Sequence, residues 1–165
     1  MIAPSTFPSV LRELLRTHQA FLSYAANHVH KLDLTLPQFD VIITLGNTAG
    51  MPFKTLGEKT LITKGTLTGV ITRLEDKGLV QRFASEKDGR SQLIRLTAAG
   101  NALFERSFPE HLQYIGRLFK DYSPQDISDL EAALVRLGES VAAARSEGDE
   151  QIDVEINEAE PPSLI

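Results

Sequence analysis

Apolar residues recur in steps of three and four along the first part of the chain. Phe7, Val10, Leu11, Leu14, Leu15, His18, Phe21, Leu22, Ala25 and Val29 fall on one face, so residues 7–32 are predicted to form a long amphipathic helix. A second helix is predicted from "TLPQF", with Thr35 as N-cap and Gln38 at the N3 position of a capping box, ending near Gly46 and Asn47. "PFKTLGEK", residues 52–59, predicts a short third helix with Pro52 in its first turn. The fourth is "TKGTLTGVITRLEDKG", residues 63–78, with Thr63 as N-cap and Gly78 as its stop.

Two strand-like runs follow, "LVQRFA" (79–84) and "SQLIRL" (91–96), bracketing "SEKDGR", whose Asp-Gly step is a hairpin signal. Thr97 is predicted to cap a helix running to about Phe119, interrupted and kinked at Pro109. A last helix opens with Ser123 as cap and Pro124 at N1, and repeats Ile127, Leu130, Leu134, Leu137 and Val141 along one seam. Beyond about Ser146 the acidic stretch has little to bury and is expected to be mobile. The fold class is therefore mainly α with a small β-hairpin wing. The apolar stripes of the first and the last two helices exceed what one small middle lobe can cover, which points to a second copy of the chain as their partner.

The fourth helix contradicts ordinary helix composition. Each glycine inside a helix costs about 1 kcal/mol against alanine, and threonine is a mediocre former. At about 100° per residue, Leu67, Val70, Ile71 and Leu74 share one face. Gly65, Gly69 and Thr72 lie opposite, flanked by Thr66, Thr68 and Arg73. A face so small and hydroxylated suits a helix laid into a DNA major groove, where the backbone comes close and hydroxyls and methyls meet phosphates or base edges. Helix, turn, helix and a basic hairpin make the winged form of that architecture. The competing reading is a weak surface helix whose glycines have no function.

Charge supports the first reading once it is divided along the chain. The net charge of −5 is carried by residues 147–165, which hold seven acids and no Lys or Arg, leaving 17 basic against 15 acidic residues elsewhere. Residues 50–96 carry nine basic and five acidic side chains. Such asymmetry bears on partners, and the acidic stretch is expected to compete with DNA for the basic face. The absence of cysteine excludes disulfides, thiolate metal sites and thiol redox sensing. No apolar run is long enough for a membrane span and the start lacks a signal-peptide pattern, so a cytoplasmic protein without membrane attachment is expected. No phosphate loop, nucleophile elbow or HExxH pattern argues for an enzyme. Asp126, Asp129 and Glu131 sit where a helix dipole favours acids. Of the four histidines, His28 and His30 project to nearly opposite helix faces and cannot chelate together, so no metal or cofactor is assigned.

The run from Leu56 to Glu105 resembles the winged helix-turn-helix core of MarR-type transcriptional regulators. The resemblance is carried by "T-x-x-T-L-T" at Thr63–Thr68, "R-L-E-x-K-G-L-V-x-R" at Arg73–Arg82, "D-x-R-S" at Asp88–Ser91 and "LTAAG" at Leu96–Gly100. "LTLPQFDVI" upstream and "YSPQDISDL" downstream extend it over most of residues 8–142. It implies a homodimeric, ligand-responsive repressor of double-stranded DNA, binding a pseudopalindromic operator. Residues 1–146 would form one domain: 7–34 and 98–145 supply dimerisation helices, 35–97 the winged helix-turn-helix, and 147–165 a disordered acidic tail. The implied DNA contacts are Thr63, Lys64, Thr66 and Thr68 at the recognition-helix N-terminus, Arg73 toward the phosphates, Arg90 at the wing tip and Asp88 orienting the wing arginine. Thr72 joins them from its place on the glycine face. An arginine on a narrow hairpin also suits an A·T-narrowed minor groove on physical grounds. For Arg73 a structural ion pair competes with the phosphate contact. The resemblance further implies a small aromatic or anionic effector, for which Phe21, Tyr24, Phe39 and His111 are candidates, with Arg16 as anion partner; aromatic residues at such spacing also serve as plain core. Two alternatives stand beside the repressor: a winged-helix dimer that engages protein, and a metal-responsive regulator.

Overall fold

The computed structural model describes residues 7–60, 62–84 and 92–158, with side chains through Ser146. Contacts divide it into two compact units, Met1–Arg117 and Leu118–Ile165.

In the first unit, helix α1 (Pro8–Val29) opens on the predicted proline and passes into a 3-10 turn at His30–Leu32. Asp33 closes that turn in the left-handed region at φ 56°. Helix α2 (Leu36–Leu45) starts at Thr35, whose N–H donates to Gln38 Oε1 at 2.9 Å, one arm of the predicted capping box. Gly46 ends it at a close approach. A Cβ there would run into the Phe104 ring, so only glycine lets the later helix pack against this end.

Strand β1 (Met51–Pro52) precedes helix α3 (Phe53–Thr60) and was not predicted, because two residues are too few to show alternation. Helix α4 (Lys64–Asp76) is followed by strands β2 (Val80–Ala84) and β3 (Gln92–Leu96). The predicted hairpin is present, antiparallel with Val80 opposite Leu96 and Arg82 opposite Ile94. β1 adds to the other side of β3, Met51 facing Ile94, giving the sheet order β1-β3-β2.

Helix α5 (Ala98–Gly116) is anchored by the "LTAAG" junction. Thr97 Oγ1 accepts from Gly100 N–H at 3.0 Å and donates to Gly78 O at 2.7 Å. Thr97 N–H donates to Leu79 O at 3.0 Å, and a Cβ on Gly100 would collide with that same carbonyl. The helix runs on through Pro109, contrary to the predicted interruption, and gives way to a 3-10 turn only at Arg117–Phe119. Proline removes the hydrogen bond to the carbonyl four residues back, and here that loss does not end the helix.

The core of this unit centres on Phe39, Ile42, Leu45, Leu56, Leu67, Ile71, Leu74 and Ile94, each at most 2% exposed. Burying each such side chain contributes about 1.5–3 kcal/mol. Three of the eight come from α2, three from α4 and one each from α3 and β3, so the core shared with α2 orients α4.

The second unit is built on helix α6 (Pro124–Glu158). Ser123 caps it as predicted, its Oγ accepting from Asp126 N–H at 3.2 Å; its N–H and Oγ also donate to Asp126 Oδ2 at 2.8 and 2.7 Å, which holds the Asp126 carboxyl below its ordinary pKa. The helical backbone reaches further than the predicted end near Ser146, since no proline intervenes before Pro161. Of the stretch 147–165 expected to be mobile, residues 147–158 are helical and 159–165 lie outside the described residues.

Candidate nucleic-acid interface

Helix α4 is two-faced. Leu67, Val70, Ile71 and Leu74 are at most 5% exposed, while Thr63, Lys64, Gly65, Thr66, Thr68, Gly69, Thr72 and Arg73 are all exposed. A Cβ added at Gly65 or Gly69 would meet nothing within 4 Å among the described residues, so packing against those residues requires neither glycine.

The two halves of this face differ in how they are held. At the start Thr63 takes the extended N-cap backbone (φ −61°, ψ 149°), yet its hydroxyl donates to Thr66 Oγ1 at 3.1 Å and caps no helix N–H. The first-turn N–H groups therefore remain without a side-chain cap and point their partial positive charge outward. Thr68 Oγ1 donates back to Lys64 O at 3.0 Å.

Towards the end, side chains from other elements grip the helix. Thr72 Oγ1 donates to Thr68 O at 3.0 Å and accepts from Arg82 Nη2 at 3.1 Å. Arg82 Nη1 also pairs with Glu75 Oε2 at 3.3 Å. Just past the helix, Lys77 Nζ donates to Asp33 O at 2.7 Å and to Asp33 Oδ2 at 2.5 Å, which lowers the Asp33 pKa. Arg82, Glu75 and Asp33 were not singled out in the sequence. Arg73 makes no ion pair among the described residues.

Beside this face a cleft of about 550 Å³ is lined by Pro52, Phe53, Lys54, Lys64, Thr68, Arg82 and Gln92. It gathers three cations from α3, α4 and β2 at the foot of the wing. On the wing strands the Arg95 guanidinium lies 3.6 Å above the Phe83 ring. Asp88 and Arg90, the predicted wing residues, lie outside the described residues.

Of the predicted effector residues, Tyr24, Phe39 and His111 come together. Tyr24 stacks on Tyr114 with ring centroids 4.4 Å apart and donates to Tyr114 O at 3.1 Å. His111 meets Phe39 edge-on at 4.8 Å, and its Nδ1 is 3.1 Å from His28 Nδ1. Burial and the neighbouring His28 lower the His111 pKa, and burial raises that of Tyr24. Arg16 and Phe21 are elsewhere on α1, both exposed, with Arg16 paired to Glu13 at 3.2 Å. His28 and Tyr114 were missed because the sequence offers no sign that α1 and α5 meet there. Two histidines alone do not make a metal centre, and no group of three metal-binding side chains occurs among the described residues. No helix among the described residues is long and apolar enough to cross a membrane.

Residues 34–92 match the MarR family. The organic hydroperoxide resistance transcriptional regulator of Bacillus subtilis (strain 168) is 32% identical over 136 residues, covering 77% of this chain and 91% of that one. The homoprotocatechuate degradative operon repressor of Escherichia coli is 32% identical over 130 residues, covering 77% and 88%. Among solved structures, NadR in complex with 4-hydroxyphenylacetate superposes with a TM-score of 0.67 at 26% identity, covering 83% of this chain and 97% of that one.

Proposed function

The chain belongs to the MarR family of transcriptional regulators, and from that premise we propose that it is a homodimeric repressor released from its operator by a small aromatic anion. It would act in the cytoplasm on a pseudopalindromic site. The observation that carries the DNA-binding geometry is the exposed face of α4, slim at Gly65 and Gly69 although nothing among the described residues needs them to be small. Thr63, Lys64, Thr66 and Thr68 would meet the major groove, Thr72 through its methyl, and Arg73 a phosphate. Arg90 would enter the flanking minor groove with Asp88 orienting the wing arginine.

The dimer would form on the apolar face of α1, where Val10 and Leu15 are 56% and 62% exposed. Covering such a face by a second copy removes apolar surface from water, which favours association. The effector would seat against the rings of Tyr24, Phe39 and His111, beside Phe21, with Arg16 exchanging Glu13 for the ligand's carboxylate. The aromatic acid bound by NadR supports that ligand class.

Footprinting on a duplex selected by the protein from a randomised pool tests the reading. Two protected half-sites about one helical turn apart, roughly 34 Å, are expected. A single protected half-site bound by a monomer would overturn it.

A further inference from the structure

The reading of α4 as the groove-binding helix leaves Glu75 unexplained. A carboxylate on a helix that approaches phosphates opposes binding, yet Glu75 sits in the last turn of α4. Its partner is Arg82, on β2 of the hairpin. Both side chains are only 28% exposed, and Arg82 Nε is sealed from solvent without a hydrogen-bond partner among the described residues, so the two terminal nitrogens alone hold this guanidinium. Its fork reaches two groups on one helix, the Glu75 carboxylate as an ion pair at 3.3 Å and Thr72 Oγ1 as a hydrogen-bond acceptor at 3.1 Å. Thr72 in turn is tied to the helix backbone at Thr68 O.

We propose that Arg82 is a positioning residue for DNA recognition: from the wing strand it clamps the second half of α4 through Thr72 and Glu75, setting the angle between recognition helix and wing without touching phosphate. The inference rests on α4 being the helix that meets DNA. The clamp spares the first half of the helix. Thr63, Thr66 and Thr68 bond only within α4 and its cap, so the contact end stays open while the far end is fixed to the strand that carries the wing. A planar fork can bridge two acceptors at once, which a lysine ammonium on a flexible stem does poorly. Glu75 is then retained as the anchor, and it neutralises a cation that would otherwise be available to phosphate.

The test is a titration of a duplex selected by the wild-type chain from a randomised pool, repeated over a salt series for Arg82→Gln, Arg82→Lys, Glu75→Gln, Thr72→Val and Lys64→Ala. The clamp predicts that Arg82→Gln weakens binding about tenfold. The slope of log affinity against log salt stays at the wild-type value, because no phosphate contact is lost. Arg82→Lys does not restore affinity. Glu75→Gln and Thr72→Val weaken binding too, although the former removes negative charge from the DNA-facing helix. If Arg82→Gln is found unfolded by thermal melting, these two variants decide the question. A slope reduced by about one in Arg82→Gln, affinity kept by Arg82→Lys, or tighter binding by Glu75→Gln would each overturn the clamp. Lys64→Ala separates the two readings. Lowered slope there together with lowered slope in Arg82→Gln removes only the clamp, whereas an unchanged Lys64→Ala removes α4 from the DNA and the clamp with it.

Discussion

Helices α1 and α4 both present an exposed face, and the chemistry of the two faces is opposite. On α1 the exposed side chains include Val10, Leu11, Leu14 and Leu15, large and apolar. On α4 they are glycine, threonine, lysine and arginine, with an aspartate only at its last residue, while the apolar residues of that helix are buried. A large apolar face gains by removal from water against a similar surface, which suits a second copy of the chain. A slim, hydroxylated and basic face gains little from apolar burial and suits a groove lined with phosphates and base edges. Exposure alone therefore says nothing about partner; what is exposed decides.

The comparison breaks most visibly if charge is placed on the α1 face. Leu15→Glu is expected to yield monomers in sedimentation equilibrium and to weaken operator binding by about a hundredfold or more, since both half-sites are no longer engaged by one particle. A dimer that persists in Leu15→Glu would place the self-contact elsewhere. On the α4 side, Lys64→Ala is expected to cost about 1–2 kcal/mol of operator binding and to lower the salt slope by about one, with the dimer untouched. Arg90→Ala should weaken operator binding by about 1–3 kcal/mol at fixed salt, and a titration indistinguishable from wild type would remove the wing from the account.

The smallest effect is expected between the two faces, at His28 and His111, which join α1 to α5. The His111 pKa is lowered in the folded chain, so the unfolded chain binds more protons as pH falls through the ordinary histidine range. The stability held by the neutral ring is present above that range and lost as pH falls through it. A shallow decline in Tm from about pH 7.5 to about pH 5.5 is expected, flatter in His111→Gln; an equal slope in both would remove this pair from the pH response.

The parts of the molecule written in local sequence were legible from residue order alone. Thr35 with Gln38, Thr97 with Gly100, and Ser123 with Pro124 mark helix starts through atoms within three residues, and each start is where the pattern predicted it. The two-faced character of α4 was equally legible, because a helix's buried stripe follows from spacing alone. What escaped depends on contacts between distant segments. β1 exists only because Met51 and Pro52 pair with β3, the Arg82 clamp needs β2 folded against α4, and His28 meets His111 across 83 residues of chain. Pro109 misled for the reverse reason: a local rule predicted an interruption, and the helix runs on through that residue.

The central claim is that the glycines of α4 are kept for close approach to DNA. Its most direct test is Gly69→Leu, carried through thermal melting and DNA titration on the same preparation. A Cβ there meets nothing within 4 Å among the described residues, so the account predicts a Tm equal to or above wild type, from up to about 1 kcal/mol of improved helix propensity, together with weakened binding to the selected duplex. Wild-type affinity in Gly69→Leu would contradict it, because the glycine face would then not approach DNA.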